Sequence, residues 1–330
     1  MKPAVFVLVF FCAPLFAQDS VSDRLSREIA QVTGAAERVV PEEQRGPAMQ
    51  RLARAKAAVD AGRLHLALYE LEGAYVMTNA FAFANDNAAI TSADDLAARW
   101  KAVGEPKPAG ATSAASPALL QAFAGSAAAR APVTYRASLP YGQDAGVPAG
   151  LYYLGEARAL AAFANFVRSL KWDRSGAVPD IRSILPELNA FESEVTTAYT
   201  RMTPADHPTY IVTSVLLKRA RALNDAGEHA GALVEYLLAR LRFAPLRGPV
   251  ADPQVNTQLI ADARKQLSAG VDHSIANLFL EMAEASANAS TILADVLPAY
   301  RAATSPVAST TTATAADPAV TITLVRWPFT

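Results

Sequence analysis

The chain nearly lacks cysteine: Cys12 is the single one in 330 residues. It lies in an N-terminal stretch that has one lysine, an apolar run from Ala4 to Phe16 and the small residue Ala17 at its end. This order is typical of a secretory signal peptide. We therefore expect residues 1–17 to be removed during export to the periplasm or the extracellular medium, which leaves no cysteine for a disulfide or a metal site.

The sequence also lacks a run of about 20 apolar residues, the length that a membrane-spanning helix needs. The N-terminal run is shorter, so a retained membrane anchor is the less favoured alternative, and the bulky residues before Cys12 argue against a lipid attachment site. Farther along, Glu156 and two arginines interrupt the apolar segment Leu151–Leu170. We expect no integral membrane span once the signal peptide is removed.

Neither sign of charge is in excess. The chain has 30 lysines and arginines against 31 aspartates and glutamates, and it contains no basic run. Domains that bind nucleic acid carry a basic patch or stripe. The composition therefore argues against nucleic acid as a partner.

No motif of a known catalytic or cofactor site is present. The sequence contains no Gly-x-Ser-x-Gly, no glycine-rich phosphate loop with lysine and no His-Glu-x-x-His. None of the four histidines lies within a helical turn of another, which argues against a local pair of metal ligands; they are His65, His207, His229 and His273. We predict no cofactor and no metal, and we interpret His65 and His229 as polar residues on helix surfaces.

Pairs of carboxylates do occur, and they leave an enzymatic alternative open. A glycosidase needs a carboxylic acid held in a cleft, so an enzyme that acts on cell-wall glycan is our second hypothesis. However, Glu281 and Glu284 lie one helical turn apart between small residues, a pattern that favours a solvated helix face. We predict no catalytic residue among these pairs.

The residues that are abundant favour helix. Alanine is far above ordinary usage, and it has the highest helix propensity. The helical period of apolar residues predicts a helical region over residues 18–103, a linker over 104–117 and a helical array over 118–302. Within the array, prolines and glycines predict a long loop from Ala131 to Gly150.

The composition changes again near the C-terminus. Residues 303–330 are rich in serine, threonine and alanine without a core-forming pattern, which predicts a flexible tail. Near its end, VTITLVRWPF alternates as a β-strand does. One strand alone is not stable in water, so we expect this segment either to add to the sheet edge of a partner or to remain loose.

One short pattern occurs twice. DAGRLHLALYEL begins at Asp60 and DAGEHAGALVEY begins at Asp225, 165 positions later. Each contains a turn glycine, with alanines seven residues before it and five and twelve residues after it. Such small residues let two antiparallel helices cross closely, and glycine ends the first helix where a positive φ is required.

This spacing resembles the tetratricopeptide repeat, a unit of 34 residues that folds as helix, turn and helix. The similarity covers two segments, about 51–80 and 216–245, although both lack the aromatic residue that the family has early in its first helix. The resemblance implies an all-α fold of stacked antiparallel helical hairpins, a TPR-like α-solenoid. An irregular helical bundle is the alternative, because alanine-rich hairpins produce the same spacing.

The function is predicted at the level of class. Stacked hairpins leave a concave surface suited to a peptide or a protein, so we expect a non-catalytic binding or scaffolding protein with a protein or peptide partner in the cell envelope. Tyrosine is enriched at interfaces, and four tyrosines form the predicted binding surface: Tyr135, Tyr141, Tyr152 and Tyr153. The alternative is that Tyr152 and Tyr153 pack at the start of a buried helix.

Overall fold

The computed structural model describes residues 19–107, 110, 112–144, 146–247, 257–286 and 288–304. These residues are predominantly helical, and the one β-bridge among them joins Ala177 to Val271. The prediction of an all-α fold is confirmed. The predicted signal peptide, the tail beyond Thr304 and the predicted strand lie outside the described residues.

Two longer connections, residues 104–117 and 170–184, interrupt the series of described helices, and the bounds below define the labels used throughout. They are α1 (Val21–Val39), α2 (Glu42–Asp60), α3 (Leu64–Asp86), α4 (Ala93–Val103), α5 (Ala118–Asp144), α6 (Val147–Ser169), α7 (Leu185–Tyr199), a 3₁₀ turn (Pro204–Asp206), α8 (His207–Asp225), α9 (His229–Arg247), α10 (Thr257–Lys265), α11 (Ser274–Ala285), α12 (Ala289–Thr291), a π-helical turn (Ile292–Val296) and α13 (Leu297–Thr304). None of these helices has both the length and the apolar character needed to cross a bilayer.

The centre of the molecule is formed by α5 and α6, with α3 packed on one side and α9 on the other. Gly155 of α6 lies so close to α3 that a Cβ atom there would be 2.7 Å from the carbonyl oxygen of Ala80. Glycine is required at this position because any side chain would push the two helices apart. The predicted burial of this part of α6 is confirmed by Leu154 and Phe163, both with no exposed surface.

The loop predicted from Ala131 to Gly150 is wrong. Helix α5 continues through Pro132 and Pro140 to Asp144, and α6 begins at Val147. The reason is tertiary packing: Ala131 and Ser138 are buried between the neighbouring helices. The burial of one face outweighs the backbone hydrogen bond that each proline removes. By contrast, the described part of the predicted linker, residues 104–117, contains no helix.

The two halves of the repeated pattern fold as two matching hairpins. Helices α2 and α8 are both 19 residues long, and α8 begins 165 positions after α2. Helix α9 likewise begins 165 positions after α3. The turn glycines Gly62 and Gly227 have φ values of 72° and 79°, so the predicted positive φ is confirmed at both.

The backbone bonds of the two turns match as well. Gly62 and Gly227 each donate an N–H to the carbonyl three residues before, and the next residue donates to the carbonyl five residues before. This pair of bonds is the Schellman motif, which satisfies carbonyls at a helix C-terminus.

Three helices are capped by residues from distant parts of the chain. The N–H of Leu66 in α3 donates to Glu281, the N–H of Ala118 in α5 donates to Asp272, and the N–H of Ile184, next to α7, donates to Asn224. The first N–H groups of a helix have no partner within it. Acceptors that are buried and remote in sequence therefore join these helix ends to the rest of the fold.

Candidate functional site

The four predicted tyrosines do not form one exposed surface. Tyr135 is 5% exposed, its ring stacks on Trp100 with centroids 4.6 Å apart, and its hydroxyl donates to the carbonyl of Trp100 at 2.9 Å. Trp100 in turn donates its Nε1–H to the carbonyl of Tyr135. This reciprocal pair joins α4 to α5 and removes Tyr135 from the binding surface that the sequence predicts.

Tyr152 and Tyr153 lie together at the start of α6. Their rings meet edge to face at 5.7 Å, and Tyr152 also contacts Phe81 of α3 at 4.8 Å. Burial raises the pKa of Tyr152 to about 12. This is the packed arrangement that the sequence left as an alternative. The side chain of Tyr141 lies outside the described residues.

Glu281 is not on a solvated helix face, so that interpretation is wrong. One of its oxygens lies 2.6 Å from His65 Nδ1 and the other accepts from the N–H of Leu66 at 2.8 Å. His65, interpreted as a surface residue, is only 15% exposed and packs against Trp172. Glu281 serves α3 as an N-terminal cap, a role that no local pattern around Glu281 indicates.

A second buried carboxylate, Glu235 of α9, lies in a cluster of charges between the central helices. One of its oxygens is 3.5 Å from Ser126 Oγ, and the other is shielded from solvent and has no hydrogen-bond partner in the described chain. Burial raises the pKa of Glu235, although the positive charges of Arg130 and Arg219 oppose the shift. Burial raises the pKa of the nearby Glu156 as well. Since both oxygens of Glu235 are enclosed, no substrate reaches this carboxylate in the arrangement described.

Among the residues that the structure describes, the largest group of exposed apolar side chains lies on α8 and just before it. Ile211, Val212 and Val215 are 59%, 46% and 41% exposed, and Tyr199, just before α8, is 51% exposed. The ring of Tyr199 stacks on His207, with the centroids 6.2 Å apart. His207, Ile211 and Val215 follow one another at four-residue spacing, so they form one stripe along the helix. We call these five residues the α8 face.

The first hairpin supplies a matched comparison for this face. The positions of α2 that correspond to those of α8 in the face are Glu42, Gly46, Pro47 and Gln50, and all four are exposed. The same part of α2 and of α8 is therefore exposed to solvent, and only α8 has aliphatic side chains there. Contiguous apolar groups on a surface mark sites of interaction, whereas single ones do not.

The sequence did contain a signal for the α8 face. In HPTYIVTSVLLK, apolar residues occur at Leu217, on the buried side of α8, and also at Ile211 and Val215, on the opposite side. A helix with one solvated face needs apolar residues on one side only. Aligning the two hairpins position by position would have identified the additional apolar residues of α8.

A groove of about 430 Å³ lies between α1 and α2, with Ile29, Leu52 and Val59 among its lining residues. Among the described residues, no group of three or more histidine, aspartate or glutamate side chains is placed to hold a metal ion.

Comparison of the chain with protein-family models, curated proteins and solved structures gives no significant match. The resemblance to tetratricopeptide repeats therefore remains a prediction from residue spacing.

Proposed function

We propose that this chain is an exported, non-catalytic binding protein of the cell envelope that holds a protein or peptide partner on the α8 face. The observation that carries the proposal is the stripe of Ile211, Val212 and Val215, exposed where the equivalent positions of α2 carry Gly46, Pro47 and Gln50. Export is proposed from the pattern of residues 1–17, and the class of partner from the helical hairpins.

The energetics of such a surface favour association. Covering an aliphatic side chain fully is worth about 1.5–3 kcal/mol, and three of them lie within two turns of one helix. Helix α8 packs against α7 and α9, so the face is held by the core and loses little conformational freedom when a partner binds. A surface that is already rigid before binding gains affinity, because less conformational entropy is lost when the partner associates.

A crosslinking experiment at matched positions tests the proposal. A photoreactive phenylalanine analogue is placed at Val215 or, in a second variant, at Gln50, the equivalent exposed position of α2. After irradiation in cells, we expect a reproducible crosslinked partner from position 215 that is absent from position 50. Mass spectrometry identifies it.

Two substitutions make this test specific. Ile211→Gln should abolish the crosslink at position 215, because it removes apolar area from the centre of the face. Val133→Gln changes another exposed valine, 61% exposed on α5, and should leave the crosslink unchanged. The same crosslinked proteins at positions 50 and 215, or a crosslink insensitive to Ile211→Gln, would contradict the proposal.

An enzyme that acts on cell-wall glycan stays the second hypothesis from the sequence, and the enclosed Glu235 does not favour it in the arrangement described. Glycoside hydrolysis requires a general acid of raised pKa in a cleft that the substrate enters, and burial raises the pKa of Glu235 but also encloses it. The test is incubation of the purified protein with isolated peptidoglycan and chromatography of the soluble products. Release of fragments that Glu235→Gln abolishes would support the enzyme, and no release by the folded protein would exclude this reaction.

A further inference from the structure

We propose that the partner on the α8 face is a second copy of this chain, which packs its own α8 antiparallel against the first in a two-fold symmetric pair. This inference rests on the proposed function, because it names the partner that the same face holds. It is carried by the charges at the two ends of the face, which are placed so that opposite charges meet when the face pairs with itself.

Each end of the face has one cation and one carboxylate. At the N-terminal end, Arg201 is exposed in the turn before α8, and Asp206 directly precedes the helix. At the C-terminal end, Lys218 and Asp225 are exposed. Lys218 follows Val215 by three residues and Asp225 follows Lys218 by seven, so both lie on the side of α8 that has the apolar stripe. The charges at the two ends therefore balance.

Both carboxylates are available to a partner. The N–H and the hydroxyl of Thr203 donate to Asp206 at 2.9 and 2.8 Å, and they lower its pKa, so Asp206 stays charged. The two bonds go to Oδ2, which leaves Oδ1 to accept from a cation. Asp225 is exposed, and Arg221, the nearest arginine along α8, binds Glu192 at 2.6 Å instead.

The apolar stripe can pair with itself about a two-fold axis. In a symmetric dimer the same patch lies on both sides of the interface. With the axis at position 213, Ile211 of each copy lies opposite Val215 of the other, and these side chains are 59% and 41% exposed. The antiparallel arrangement also places the N-terminus of each helix beside the C-terminus of the other, where the helix dipoles attract.

The same axis brings opposite charges together. Asp225 is twelve positions after the axis and Arg201 is twelve before it. Lys218 is five positions after the axis and Asp206 is seven before it, an offset of about 3 Å along the helix at 1.5 Å per residue, which a lysine side chain spans. Since Tyr199 stacks on the first residue of α8, the turn that contains Arg201 is held beside the start of the helix. Each copy therefore contributes two ion pairs.

The first hairpin does not have this pattern. The position of α2 equivalent to Lys218 is Ala53, and the equivalent of Asp225 is Asp60. Asp60 binds Lys56 of its own helix at 2.7 Å. Of the two matching helices, only α8 combines an apolar stripe with charges that complement themselves, and Asp60 is a matched control for Asp225.

The dimer should be weak and reversible. The face extends over eleven residues from His207 to Lys218, about 16 Å of helix. Contact over this length is smaller than a standard interface of about 1,600 Å², and small interfaces are typical of transient association. Salt should weaken the dimer further, because it screens exposed charges.

The experiment is sedimentation velocity of the full mature chain over a series of concentrations at low salt. The buffer is at pH 8, where histidine is uncharged, because His207 lies close to Lys218 of the other copy. We expect the sedimentation coefficient to rise with concentration from that of a monomer to that of a dimer. Ile211→Gln should shift this rise to higher concentration.

Charge reversal tests the antiparallel pairing. Arg201→Glu and Asp225→Lys should each weaken self-association about tenfold, since each places like charges together twice in a symmetric pair. When these two variants are mixed, every reversed charge meets an opposite one, so the mixture should associate as tightly as the unmodified chain. Asp60→Lys should leave association unchanged. Circular dichroism confirms that each variant is folded.

Three outcomes would overturn the inference. They are a monomer at every concentration, single charge reversals that leave the association unchanged, and a mixture of the two variants that does not associate. If crosslinks at position 215 then identify a different protein, the proposed function stands without self-pairing. If those crosslinks are also absent, the proposed function fails as well. A crosslinked product of twice the mass of the chain, lost in Ile211→Gln, would support both.

Discussion

The hairpin of α2 and α3 and the hairpin of α8 and α9 have the same turn but different surroundings. Both begin their second helix after a glycine with positive φ, and both place an arginine and a glutamate sixteen residues apart. In the first hairpin, Arg54 donates to both oxygens of Glu70 at 2.9 and 3.0 Å. In the second, the equivalent Arg219 and Glu235 form no such pair among the described contacts.

The difference arises from what packs against each hairpin. The side chain of Arg54 is 54% exposed, so its guanidinium can take the orientation that pairs with Glu70 at the edge of the fold. Glu235 faces Ser126 of α5 in the interior, and burial lowers the pKa of Arg219. The same two residue types therefore form an ion pair in one copy and contribute to a buried charge cluster in the other.

The entry to the second helix also differs. Gly231 stands in α9 where α3 has Leu66, and a Cβ atom at Gly231 would lie 3.3 Å from the carbonyl of Ala122 in α5. At the end of the first helix, Asn224 stands where α2 has Val59, and it caps the start of α7. The hairpin of α8 and α9 is thus adapted to pack against α5, whereas the hairpin of α2 and α3 borders the groove between α1 and α2.

The largest expected effect comes from giving the second hairpin the leucine of the first. Gly231→Leu should lower the free energy of unfolding by about 3 kcal/mol, because the side chain overpacks the contact between α9 and α5. Gly231→Ala adds only the Cβ atom and gains helix propensity, so it should be close to neutral. Urea unfolding followed by circular dichroism measures both, and similar values for the two variants would contradict the close contact.

Removing the cap that joins α8 to α7 should have the next largest effect. Asn224→Val copies Val59 and leaves the buried N–H of Ile184 without an acceptor, which should cost about 2 kcal/mol. The reciprocal change, Val59→Asn, should not restore stability, since no helix start faces that position in the first hairpin. Thermal unfolding of the two single variants and the double variant provides the measurement. An Asn224→Val protein as stable as the unmodified chain would show that the cap is dispensable.

The two turn glycines should respond alike. Gly62→Ala and Gly227→Ala each force a side chain into positive φ, at a cost of about 1.5 kcal/mol. No heavy atom lies within 4 Å of either added Cβ, so the cost is that of the backbone alone. Equal shifts in denaturant midpoint would confirm that the turns are equivalent, and unequal shifts would show that their surroundings matter.

The two equivalent glutamates should respond with opposite signs. Glu70→Gln removes the charge from its pair with Arg54 and should lower the free energy of unfolding by about 1 kcal/mol. Glu235→Gln removes a buried charge that its neighbours compensate only in part. It should therefore raise the free energy of unfolding by a similar amount at pH 8. Chemical denaturation at pH 8 distinguishes the two, and a loss of stability in both variants would contradict this account.

The pH dependence supplies a further check on Glu235. Its pKa is raised in the folded state, so the folded chain holds the proton more tightly than the unfolded chain does. Stability should therefore fall as the pH rises above the usual value of 4.5. In Glu235→Gln this fall should be smaller, while Glu70→Gln should not reduce it.

Much of the fold followed from local patterns, whereas most of the site did not. The helices, the matching hairpins and the glycines with positive φ were predicted from apolar period and residue spacing. The tyrosine surface failed at Tyr135 because its prediction depended on a loop that α5 replaces. The α8 face was missed because a single helix, taken alone, gives no reason to prefer one apolar side as the buried one.

The sequence by itself determined the helical hairpins of this protein, because helix propensity, small-residue spacing and the need for glycine at Gly62 and Gly227 are properties of neighbouring residues. Only the tertiary structure decided which side of α8 is exposed, which carboxylates are buried and which helix ends receive caps from Glu281 and Asn224. These outcomes depend on contacts between residues far apart in the chain, and the free energy of such contacts is not contained in any local pattern.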